Sequence, residues 1–77
     1  MSEKMTDVTM HIDEDTSHEQ REALRDHLLQ RDGVLAAAYH DEKPHLVVIE
    51  YDPDLVKSAD FIEIAKSSGL NAQLIGL

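Results

Sequence analysis

The chain has 77 residues, no cysteine, and sixteen acidic against seven basic side chains, for a net charge of −9. A domain of this size sits near the lower limit for a self-sufficient core. Without cysteine it has no disulfide, thiolate metal site or cysteine nucleophile. The charge repels a polyanion such as DNA or RNA, and two tyrosines with one phenylalanine give little surface for base stacking. The longest apolar run, Val34–Tyr39, is far short of the ~20 residues needed to span a bilayer. Met1–Asp7 lacks an apolar stretch of signal-peptide type. These readings set the expectation of one soluble cytoplasmic domain over residues 1–77, with no membrane or nucleic-acid partner and a disordered start at 1–5.

In Thr6–Ile12, Val8, Met10 and Ile12 alternate with Thr9 and His11, the period of a strand with one buried face. The acidic connector Asp13-Glu14-Asp15-Thr16 follows. A helix is expected from Ser17, where Ser17 and Gln20 stand in the relation of a capping box. Leu24, Leu28 and either Ala23 or His27 form its apolar stripe, with Arg21, Glu22, Arg25 and Asp26 facing away, and Gly33 stops it.

Val34–His40 and His45–Tyr51 read as two strands of a hairpin turning through Asp41-Glu42-Lys43-Pro44. Ser58 caps a second helix that ends at Gly69, and Leu70–Leu77 alternates as a fourth strand. The order β-α-β-β-α-β with short connections predicts an α+β ferredoxin-like sandwich. Its four-stranded antiparallel sheet has the first and third strands in the middle and both helices on one face.

With Leu24 and Leu28 leading into Gly33-Val34, the strand end Ile49-Glu50-Tyr51-Asp52-Pro53, and Ile64-Ala65 before Gly69, the chain resembles the heavy-metal-associated domains of copper chaperones and metal-transporting ATPases. The resemblance spans about Val8 to Leu74 and implies the ferredoxin-like fold. It also implies an M-x-C-x-x-C metal loop after the first strand. Counted back from Gly33, the methionine position falls on Asp15 and the cysteine positions on Ser17 and Gln20. Thiolate binding of Cu(I) therefore does not transfer.

Two candidate sites follow. His18, His40 and His45, with Asp15 or Asp13 nearby, are expected at one end of the sheet, where an imidazole and carboxylate set would suit zinc or nickel. Scattered surface histidines would give the same count, and His11 and His27 are expected to be partly buried or exposed singly. The other candidate is the sheet face that no helix covers. There Leu46 and Val48 point outward with Glu50, joined by His11, Ile75, Leu77 and Ala38, as a surface for a protein partner or a second copy.

Enzymatic readings lack their parts. The D-x-[DN]-x-[DN]-G calcium spacing is absent, and three glycines make no phosphate cradle. Ser17 beside His18 is not in itself a nucleophile–base pair. Acylphosphatases share the topology but use a first-loop arginine, and this loop has none. Amino-acid-binding ACT domains share the strand order, yet bind near a first-loop glycine that is missing here. The expectation is a non-enzymatic interaction module with no cofactor, and a zinc- or nickel-binding protein is the alternative.

Overall fold

The computed structural model describes residues 5–75. The expectations for Met1–Lys4, Gly76 and Leu77 lie outside the described residues, and Met5 is exposed just ahead of the first strand. The elements are β1 (Thr6–Ile12), α1 (His18–Leu29), β2 (Val34–His40), β3 (Lys43–Tyr51), α2 (Ser58–Ser67) and β4 (Ala72–Leu74). The sheet order is β2-β3-β1-β4 with every pairing antiparallel, so the first and third strands are central as expected.

Alternation along the two central strands builds the core. Val8, Met10 and Ile12 of β1 and Val47, Ile49 and Tyr51 of β3 are buried beneath Leu24 and Leu28 of α1 and Phe61 and Ala65 of α2. The Tyr51 and Phe61 rings meet edge-on at 5.0 Å, the favoured geometry for their opposed quadrupoles. The capping box at the start of α1 forms in full. Ser17 Oγ accepts from Gln20 N–H at 3.2 Å, and Gln20 Oε1 accepts from Ser17 N–H at 2.8 Å.

Four local expectations need correction. The third member of the α1 stripe is Arg21, not Ala23 or His27, both of which are exposed. Arg21, Leu24 and Leu28 recur at i, i+3 and i+7, and the arginine stem covers core while its head finds polar partners. The hairpin turn is only Asp41-Glu42, because His40 pairs with Lys43. The ladder then jumps between Tyr39 and His40, an irregularity that accommodates Pro44, which has no N–H to give it.

Lys57, not Ser58, caps α2; its N–H is accepted by the Asp60 carboxylate at 3.3 Å. β4 is limited to three residues, with Leu70 buried just before it.

The two internal glycines do different work. Gly69 (φ +80°) closes α2, with Leu70 N–H donating to Ala65 O and Gly69 N–H to Lys66 O in a Schellman arrangement. Helix α1 ends earlier than expected, at Leu29, and Gly33 (φ +97°) instead turns the chain into β2. A Cβ on Gly33 would lie 2.8 Å from Leu55 Cβ and 2.9 Å from Val56 Cγ1, whereas one on Gly69 meets nothing within 4 Å.

Both Gly→Ala variants incur the left-handed penalty of about 1–2 kcal/mol, and overlap adds about 1–3 kcal/mol at Gly33 alone. Urea denaturation should therefore show Gly33→Ala clearly less stable than Gly69→Ala. Equal losses would contradict the packing described around Gly33.

Candidate functional site

The connector between β1 and α1 meets the β2–β3 turn at one end of the sheet, and a buried arginine joins them. Arg21, 6% exposed, reaches back from the first turn of α1. Its Nη1 donates to Thr16 O at 2.6 Å and to Thr16 Oγ1 at 2.9 Å, and its Nη2 donates to Asp41 Oδ1 at 2.9 Å. The guanidinium lies 5.9 Å from the centroid of the Tyr39 ring, within cation–π range. Thr16 Oγ1 in turn donates to Pro44 O at 3.3 Å. An arginine thus serves the first loop after all, supplied by the helix rather than by the loop sequence. Its heptad-like spacing with Leu24 and Leu28 was the available signal.

Asp41 also faces His18, whose Nδ1 lies 3.1 Å from both carboxylate oxygens. This bond, followed by the one from Arg21, holds the Asp41 carboxyl below its ordinary value of 3.8. The same bond raises His18 above its ordinary 6.5. The Tyr39 hydroxyl donates to Glu22, which pushes the phenol up to about 12.

Each carboxylate of the acidic connector has its own partner. Asp13 Oδ1 lies 3.4 Å from His11 Nδ1. The two oxygens of Glu14 accept from the N–H and Nδ2 of Asn71, and this pairing with the Asn71 backbone lowers the Glu14 pKa. Asp15 Oδ1 lies 3.2 Å from His45 Nε2, while His45 Nδ1 donates to Ile12 O at 2.7 Å. The His45 ring stacks on His11 at 5.5 Å.

The sequence-derived ligand candidates are therefore divided. Asp15 and His45 form one pair, His18 turns to Asp41 in another, and His40 stands exposed at the end of β2. Among the described residues no three His, Asp or Glu side chains gather as a metal-binding group. His11 is partly buried and stacks on His45, and the ring of the exposed His27 reaches Ser68 Oγ at 3.4 Å.

The open-face candidates do share a surface. Leu46 lies opposite His11 and Val48 opposite Thr9 across β1 and β3, and Ala38 lies opposite Val48 across β2 and β3. Ile75 donates its N–H to Thr9 O beside them, and Val48 and Ile75 are each 43% exposed.

No family model matches the chain, and no curated protein matches it in sequence. Solved structures do. The N-terminal domain of a potential copper-translocating P-type ATPase from Bacillus subtilis superposes with a TM-score of 0.85 at 21% identity, covering 94% of this chain and 89% of that one. Oxidized MerP from Ralstonia metallidurans gives 0.84 at 12% identity, over 94% and 99% of the two chains. A copper-binding domain of the P-type ATPase HMA7 gives 0.82 at 20% identity, over 91% and 93%. The likeness is one of fold. It is the fold that the heavy-metal-associated resemblance implied, carried by a chain without cysteine.

The donor set does not fit the copper named for two of these neighbours. At the positions of the paired thiolates, Ser17 and Gln20 satisfy one another through the capping box. Hard oxygen donors suit a soft monovalent ion poorly, and the Arg21 charge already occupies the loop.

The His18–Asp41 pair has a definite pH signature. His18 is raised, so its stabilising contribution is complete below its ordinary value of 6.5 and is lost as pH rises through the higher folded value. Asp41 is lowered, so its contribution is present above 3.8 and is lost as pH falls through the lower folded value. Titration of the imidazole resonances should give His18 a value above 6.5 that returns toward 6.5 in Asp41→Asn. In Arg21→Met, where a competing cation is removed from Asp41, His18 should rise further. The same variant should lose about 1–3 kcal/mol in urea denaturation, because Thr16 O and Asp41 lose their donor.

Proposed function

We propose that the chain is a non-enzymatic, cytoplasmic binding module on the heavy-metal-associated fold that docks a protein through the open face of its sheet. The observation that carries this reading is the group of apolar residues on the face opposite the helices: Ala38, Val48 and Leu46, with Ile75 across Thr9 from Val48. His11 and Glu50 flank it with polar groups, the arrangement of a small interface centre and rim. The net charge of −9 favours a partner that presents a basic, apolar surface over a second copy of the same acidic chain. No helix among the described residues is long and apolar enough to cross a membrane, and the neighbours named as copper-binding or chaperone domains support a carrier-like binding role over catalysis.

A photocrosslinking side chain at Val48 should capture one protein in cells. The purified pair should then bind, with Val48→Glu lowering the affinity at least about tenfold, since burial of a valine is worth about 1.5 kcal/mol before the buried charge is counted. Equal capture from Glu63, exposed on α2, would refute the face. A mass that rises with concentration and is restored to monomer by Val48→Glu would instead assign the face to a second copy.

The zinc or nickel alternative would have to bridge the Asp15–His45 and His18–Asp41 pairs with His40. Saturable NMR shifts of those five residues on adding Zn²⁺ or Ni²⁺ would favour it.

A further inference from the structure

The edge of the sheet formed by β2 carries an opening distinct from the open face. Its sequence, Val34-Leu35-Ala36-Ala37-Ala38-Tyr39-His40, has no proline, glycine, lysine or carboxylate. Among the described residues β2 pairs only with β3, so alternate N–H and C=O groups along it point away from the sheet. Edge strands are ordinarily blunted by charge, proline or a covering element. Here the one such device is a pair of ladder irregularities, at Leu35 and after Tyr39, which leaves Ala36–Tyr39 as a regular and sterically open template. Beside this template runs an open groove of about 420 Å³ between β2 and α1, lined by Glu22, Arg25, Ala37, Tyr39, His40 and Asp41.

We infer that the β2 edge accepts an extended, basic segment of a partner protein as a fifth strand, with alternate side chains entering the groove beside α1. Backbone hydrogen bonds to Ala36–Tyr39 supply the affinity, and the groove reads every second side chain. Charge selects the chemistry. Within the groove lining the carboxylates of Glu22 and Asp41 outnumber the single guanidinium of Arg25, and the whole chain is at −9.

A second copy fits this edge poorly. Pairing with a second copy would set two chains of net charge −9 side by side. This surface adjoins the open face at Ala38, which also lines the groove, but neither reading depends on the other.

The test uses the intact chain and three terminally blocked peptides of about eight residues: alternating lysine and valine, alternating glutamate and valine, and the lysine peptide N-methylated at every residue. Hydrogen exchange read by NMR should show the outward-facing amides among Ala36–Tyr39, those not already bonded to β3, protected roughly tenfold or more at saturating lysine peptide, with no gain from the other two. Glu22→Gln keeps the acceptor for Tyr39 but removes a charge from the groove. It should weaken the lysine peptide roughly two- to fivefold.

Equal binding of the N-methylated peptide would overturn strand addition. So would protection of β2 that rises with protein concentration alone, which would give the edge to a second copy. Shifts confined to His11, Val48 and Ile75 without protection of β2 would also overturn it, while leaving the open-face reading in place.

Discussion

The guanidinium of Arg21 is the constraint that organises the functional end of the domain. Two segments meet there that the chain separates by more than twenty residues: the acidic connector, and the turn between β2 and β3. Neither has apolar side chains with which to hold the other. A single buried cation does so, with three hydrogen bonds to Thr16 and Asp41. His18 is oriented by the same Asp41, and Tyr39 lies in contact with both the guanidinium and the His18 ring. A charge buried this deeply is stabilising only while its partners remain in place, because an unpaired guanidinium in the interior is costly. The loop, the turn and the start of α1 therefore hold their geometry together or lose it together.

This arrangement accounts for what became of the acidic connector. Read as a run of carboxylates, Asp13–Asp15 suggests either a cation site or a solvated loop. The structure gives a third answer, in which the carboxylates fan out to His11, Asn71 and His45. Glu14 in particular fastens the connector to the start of β4, an edge strand of only three residues with few bonds of its own. The charges that would draw a metal ion are thus spent on tying neighbouring strands.

Most of the fold was legible because it rests on periodicity. β1 and β2 match the expected bounds, the capping box at Ser17 and Gln20 forms in full, and the sheet order follows from the element order. What the sequence concealed depends on contacts between distant segments. Arg21 was assigned to the solvent face by its charge, although its spacing from Leu24 and Leu28 placed it on the buried stripe. The hairpin turn was drawn too long because Pro44 looked like a turn residue, and only the ladder irregularity after Tyr39 explains how a central strand carries it. The histidines show the same limit. Their presence at one end of the sheet was foreseeable, but whether each imidazole would turn to another imidazole or to an aspartate was not. Which side of a strand a residue occupies is fixed by alternation, and Leu46, Val48 and His11 accordingly lie on one face.

The loop that corresponds to the metal site in the family's pattern is closed to a soft cation by two independent features. Its cap residues are satisfied by one another, and its positive charge is built into the chain. Binding energy must then come from surface that remains unsatisfied after folding. On the helix side, the core is complete and the carboxylates of the loop have partners. On the sheet, Val48 and Ile75 remain in water and one edge strand keeps a row of free backbone groups. Neither feature adds stability to the isolated domain: exposed apolar side chains forgo burial, and an unblunted edge invites association. Both become favourable when a partner covers them, and the net charge of −9 selects for a basic one. The chain thus shares the fold of its copper-binding neighbours, and in the reading proposed above recognition rests on the sheet and not on the loop.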